Sequence, residues 1–233
     1  LQPLFVFEKF GKGDEFASRL LQDRDAHGIE SAKREETKLR RLKEAIRLLA
    51  SGKVLKSVAV PSPHYGEGIV PWQGQVLSLT WQTRTGFRWN RKTLKQLGTF
   101  TYEGEGWALT STGSELVMSD GTDTLRYVDP QNFTVKRRLK VTVQGHPLRY
   151  LNELEWVDGK IFANVWLTDY AVKIDPVSGK VVGLIDLSQL HQAAGTFGSN
   201  QVANGIAFDA RNRKLYMTGK EWPALYEVKL VQK

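Results

Sequence analysis

The chain has 233 residues, no cysteine, and 33 basic against 25 acidic side chains, a net charge of +8. With 41% apolar and 25% charged residues it can bury a substantial core, which excludes disordered, collagen-like and low-complexity classes. Lack of cysteine excludes disulfides, thiolate zinc sites and a cysteine nucleophile, and no apolar run reaches the ~20 residues of a membrane span.

The positive excess is divided evenly between residues 1–57 and 58–233 and is mixed with acidic residues throughout. No basic stripe marks a nucleic-acid partner. Residues 1–7 are apolar but too short, and lack the basic lead, for a secretory signal. Residues 1–52 are read as a helical segment. A short helix is predicted over 14–22. A longer one is predicted after Ser31, where Leu39, Leu42, Ile46 and Leu49 fall on one face and Gly52 marks the stop. Its charged face is read as solvated rather than as a binding surface.

Residues 53–233 read as all β. Short apolar segments at 54–60, 75–81, 115–119, 124–129, 160–166, 171–175, 180–186, 214–218 and 224–230 are punctuated by Gly, Asn, Asp and Pro. They fall into four similar units. Each opens with a polar signature before an apolar strand: Tyr65-Gly66-Glu67-Gly68, Gly104-Glu105-Gly106-Trp107, Asn152-Glu153-Leu154-Glu155 and Asn204-Gly205-Ile206. Taking Glu67, Glu105, Glu153 and Gly205 as equivalent gives spacings of 38, 48 and 52 residues. Tight turns follow at Gln73-Gly74, Thr112-Gly113, Asp158-Gly159 and Arg211-Asn212, and third strands end near Asn90, Asp129-Pro130 and Asp175-Pro176. Units of about 40–50 residues with four short strands describe the blades of a β-propeller. The fourth unit runs to three strands. The segment 54–60 is either its completing strand or the outer strand of another blade.

First strands of blades line a propeller axis, so Glu67, Glu105, Asn152, Glu153 and Asn204 are expected to share one pocket. Trp81, Trp107 and Trp166 would wall it, and Lys220 would reach it from a loop. Aromatic walls with a few polar groups suit a small ligand. The plainer readings are blade packing for the tryptophans and backbone hydrogen bonds for the turn residues. His27, His64, His146 and His191 have no metal-ligand spacing, which leaves a zinc site without support; no cofactor is expected.

The strings GEGIV with LTW, GEGWALT with SDGT, LNELEWVDGKIFANVWLT, and NGIAFD with TGKEWPALYE resemble, in that order, the plant and bacterial type of glutaminyl-peptide cyclotransferase. The resemblance implies a five-bladed propeller that turns the N-terminal Gln of a peptide or protein into pyroglutamate and releases ammonia. It further implies an extracytoplasmic enzyme; a monomer without nucleic-acid partners is expected. By position, Glu67 matches that family's acidic catalytic residue. Trp81, Trp107 and Trp166 match its pocket tryptophans, Asn152 a pocket asparagine and Lys220 a lysine close to the site. The family's first blade carries a Phe-Thr-Gln-Gly-Leu-like segment. Residues 1–52 hold none, so that blade is read as missing or replaced by the helical stretch. Two alternatives stand beside this reading. One is a lactonase-like hydrolase holding Ca²⁺ on Glu67, Asn152 and Asn204. The other is a propeller that binds without catalysis.

Overall fold

A computed structural model describes residues 4–9, 56–195, 198 and 200–232. The first strand is β1 (Leu4–Lys9). Four antiparallel strands then form one sheet: β2 (Gly66–Trp72), β3 (Gln75–Thr80), β4 (Thr85–Asn90) and β5 (Gln96–Thr101). The next sheet contains β6 (Ala108–Ser111), β7 (Leu116–Ser119), β8 (Thr124–Val128) and β9 (Val135–Lys140), also in chain order. A two-residue hairpin, β10 (Thr142–Val143) with β11 (His146–Pro147), follows. The third blade is β12 (Leu151–Val157), β13 (Lys160–Val165), β14 (Tyr170–Ile174) and β15 (Val181–Asp186). The short helix α1 (Ser188–Ala194) leads into the fourth: β16 (Ala203–Asp209), β17 (Lys214–Gly219) and β18 (Tyr226–Gln232).

These strands realise the four expected units, three of four strands and one of three. The turns follow local chemistry. At the β2–β3 and β12–β13 hairpins the chain needs two consecutive positive φ angles. Gln73-Gly74 (41° and 80°) and Asp158-Gly159 (47° and 77°) supply them. The turn after the third strand repeats in three blades. The Asn90, Asp129 and Asp175 Oδ1 atoms each accept the N–H groups two and three residues ahead. That side-chain bond replaces a backbone one and starts the turn.

Two expectations are corrected. Within the segment expected to be helical, residues 4–9 are a strand, antiparallel to β15 and parallel to β18. That strand lies beside β18, in the place proposed for 54–60, and residues 56–60 carry no strand. Four consecutive apolar residues, Leu4 to Phe7, open the run LFVFEK, which suits a strand as readily as a helix. The helices expected over 14–22 and after Ser31 lie outside the described residues. Conversely, α1 was not anticipated among the strands. Leu190 and Ala194 bury one stripe of it, and Gly195 closes it at φ 66°.

The contacts divide into two compact units. The early unit comprises residues 56–120 and 126–137; the late unit comprises β1, 121–125 and 138–232. The early core gathers Val70, Leu77, Leu79, Phe100, Tyr102, Leu109, Leu116, Met118, Val128 and Phe133. The late core joins Val157, Phe162, Ala171, Ile185, Leu187 and Leu190 to Met217 and Trp222. Burial of each Val, Leu, Ile, Phe or Met side chain among them contributes ~1.5–3 kcal/mol. Those cores hold the strand ends from which the candidate residues project.

Candidate active site

The candidate residues sit on an irregularity repeated in three first strands. Gly66 pairs with Thr80, but the next pair is Ile69 with Ser78. Leu151 pairs with Val165 and then Leu154 with Ala163; Ala203 pairs with Gly219 and then Ile206 with Met217. In each case one extra residue is squeezed into the first strand, a β-bulge. The bulged pairs are Glu67-Gly68, Asn152-Glu153 and Asn204-Gly205. Glu67 is therefore equivalent to Asn152 and Asn204. The alignment that equates Glu67 with Glu153 and Gly205 is one residue out, because it matches Glu with Glu whereas strand register matches the first residue of each bulge.

A second equivalence follows. The backbone N–H of Trp81 donates to the Tyr65 carbonyl, that of Trp166 to Tyr150, and that of Lys220 to Val202, each at 2.9 Å. Trp81, Trp166 and Lys220 thus occupy one repeat position, the residue that follows the second strand. Tyr65 lies against the Trp81 ring at 6.1 Å, and Tyr150 against Trp166 at 6.3 Å.

In the early unit four candidates converge. The Trp81 and Trp107 indoles both donate to Glu105 Oε2, at 2.5 and 2.8 Å. The Gln82 amide donates to Glu105 Oε1 at 3.3 Å. The Glu67 backbone adjoins Trp107, since the N–H of the next residue, Gly68, donates to the Trp107 carbonyl at 3.0 Å. Gly68 is required there: a Cβ would stand 2.4 Å from the Ala108 Cα. Glu67, Trp81, Glu105 and Trp107 are all half-buried. Behind them, buried Tyr102 donates to the Thr80 carbonyl and accepts the Thr80 N–H at 2.8 Å. Burial holds its phenol above the ordinary range. The Thr80 hydrogen bonds and the Arg126 charge oppose that shift, and the Glu67 charge adds to it.

In the late unit the Lys220 ammonium lies 5.1 Å from the centre of the Trp166 ring. Asn152 is buried at 5% exposure, whereas Glu153, Asn204 and Trp166 are half-buried. Asn164 is fully buried, and its Oδ1 accepts the bulge N–H of Gly205 at 3.0 Å. Among the described residues no cluster of three His, Cys, Asp or Glu could hold a metal ion.

The glutamine cyclotransferase family model matches residues 14–230. The chain belongs to that family. It is 37% identical over 187 residues to glutaminyl-peptide cyclotransferase of Arabidopsis thaliana, covering 79% of this chain and 58% of that protein. It thus spans under two thirds of the length of that curated relative. Glutaminyl cyclase of Myxococcus xanthus has a similar structure, with a TM-score of 0.72 and 34% identity, covering 76% of this chain and 77% of that one. The fold class is accordingly an all-β propeller with four recognisable blades. The family match begins at residue 14, inside the stretch that was expected to replace a family element.

In this cyclotransferase-family chain, sequence reasoning missed the residues that hold the site. Tyr65 and Tyr150 stand two places before Glu67 and Asn152, a spacing visible in the repeats. Arg126 is buried at 5%. It pairs with Asp120 at 3.1 Å and donates to the backbone carbonyls of Glu103 and Glu105. Nothing in the local pattern distinguishes it from a surface arginine on an alternating strand.

Proposed function

We propose that the chain is a glutaminyl-peptide cyclotransferase acting on peptides or proteins with an N-terminal glutamine. In this reaction the α-amine nitrogen attacks the side-chain amide carbon of the same residue. A C–N bond closes the five-membered ring, the bond to the amide nitrogen breaks, and ammonia leaves. The nucleophile is already tethered, so the protein's work is to fold the chain back, carry a proton and stabilise the oxyanion. Glu67 takes the proton from the amine and returns it to the departing nitrogen. Lys220 and the Asn152 amide face the developing oxyanion. Trp81, Trp107 and Trp166 are assigned to holding the glutamine side chain, and Glu153 and Asn204 to substrate contact.

The observation that supports this most is that Trp81 and Trp107 are both ordered on Glu105 while the backbone next to Glu67 bonds to Trp107, in a chain of this family. No step uses a metal, and no observation favours the calcium-holding alternative. The test is ammonia release from Gln-initiated peptides, measured with and without EDTA. Release that persists in EDTA is expected. No release beside intact peptide binding would point to a binding propeller, and release abolished by EDTA would revive the metal-dependent one.

A further inference from the structure

Glu105 was expected to contact substrate, yet its carboxylate is committed to the protein. Oε2 accepts two indole N–H groups and Oε1 accepts the Gln82 amide. Its backbone is held as firmly. Arg126 donates to the Glu105 carbonyl at 3.0 Å and to that of Glu103, and is itself anchored on Asp120. On the other side the Gly106 N–H donates to the Trp81 carbonyl at 2.9 Å. A Cβ at Gly106 would lie 2.7 Å from the Tyr102 hydroxyl and 2.9 Å from the Thr80 carbonyl, so the loop packs flush on the end of β3.

We infer that Glu105 is a positioning residue: one anionic oxygen pins the Trp81 and Trp107 indoles by their N–H edges and sets the angle of the ring faces between which substrate is held. This rests on the cyclotransferase reading for the identity of the substrate, but the clamp itself does not. The electrostatics are favourable, since an indole is positive at its N–H edge and negative over its face. Bonds from N–H donors to a charged acceptor are also stronger than neutral ones. Both rings are thereby denied rotation at the cost of one carboxylate.

Two substitutions separate positioning from direct chemistry. Glu105→Gln keeps a carbonyl oxygen with two lone pairs, able to accept both indoles, but cannot carry a proton at neutral pH. Glu105→Ala removes the acceptor. The expected result is that E105A loses about tenfold or more in kcat/KM, mostly through KM, and that E105Q recovers most of that loss. Equal losses in the two variants would overturn the proposal. The second readout needs no turnover. The indole ¹H–¹⁵N resonances of Trp81 and Trp107, assigned with W81F and W107F, should both move in E105A while the other indole resonances stay. Movement of only one, or of neither, would overturn the shared anchor. If E105A does not fold, E105Q decides it: exchanging a charged acceptor for a neutral one should shift the two resonances together, and a shift confined to one of them would overturn the shared anchor. A wild-type chain that fails to cyclise Gln-peptides would refute the functional reading and leave the resonances to judge the clamp.

Discussion

Trp81 in the early unit and Trp166 in the late unit hold the same place in their repeats. Each follows the second strand, bonds its N–H back to a tyrosine carbonyl, and leans on that tyrosine's ring. Their electrostatic surroundings are opposite. Trp81 offers its positive edge to the Glu105 carboxylate, while Trp166 offers its negative face to the Lys220 ammonium. The same backbone frame thus presents one indole through its edge and another through its face. The repeat decides where a ring stands. The neighbouring charge decides which side of that ring is engaged.

The largest expected effect breaks the acidic half. Glu67→Gln should lower kcat by ~10²–10⁴, because it removes the proton carrier and little volume. Wild-type turnover would end the assigned role. Next comes the basic half. Lys220→Met should lower kcat by ~10²–10³ if the ammonium faces the oxyanion. A rise in KM of only a few-fold would reduce Lys220 to a cation resting on Trp166.

A third test sharpens the comparison between bulges. Gly68 and Glu153 hold the second place of equivalent bulges, and a Cβ at Gly68 would press on the neighbouring backbone at Ala108. Gly68→Ala should destabilise by ~3 kcal/mol in urea unfolding, as an overpacked site does. Glu153→Ala should cost well under ~1 kcal/mol by the same measurement. The reverse order would mean that the register has been misassigned.

The smallest effect concerns two equivalent turns, Asn90 in the early unit and Asp175 in the late one. Lys160 holds the Asp175 carboxyl below its ordinary value of 3.8, and hydrogen bonds from Ser178 and Val177 act in the same direction. A carboxyl lowered in the folded state contributes stability above its unfolded value, and that contribution fades as pH falls toward the folded one. Asp175→Asn, which copies Asn90, should flatten the loss of melting temperature below pH 3.8. Parallel curves for variant and wild type would show that this carboxylate is irrelevant to acid stability.

Much of the architecture was legible because it is local. The short, mostly apolar run at 160–165, the Asp-Gly turn at 158–159, and Asp129 and Asp175 before their prolines all act over a few residues. Strand β1 was missed because a short apolar run does not distinguish strand from helix, and helix α1 because its seven residues, SQLHQAA, bury only Leu190 and Ala194. Glu67, Trp81, Glu105 and Trp107 could be singled out as residue types at repeat boundaries. Their pairing could not, since Trp81 and Glu105 are 24 positions apart and meet only when two blades pack.

The amino-acid order by itself determined the repeat, the turns, and which polar residues stand at the heads of the blades, since backbone preference and side-chain alternation are properties of adjacent residues. Tertiary packing decided the bulge register, the strand beside β18, and the double indole bond to Glu105. Those depend on which surfaces exclude water together, and on the hydrogen bonds that distant backbone groups must find once they are buried.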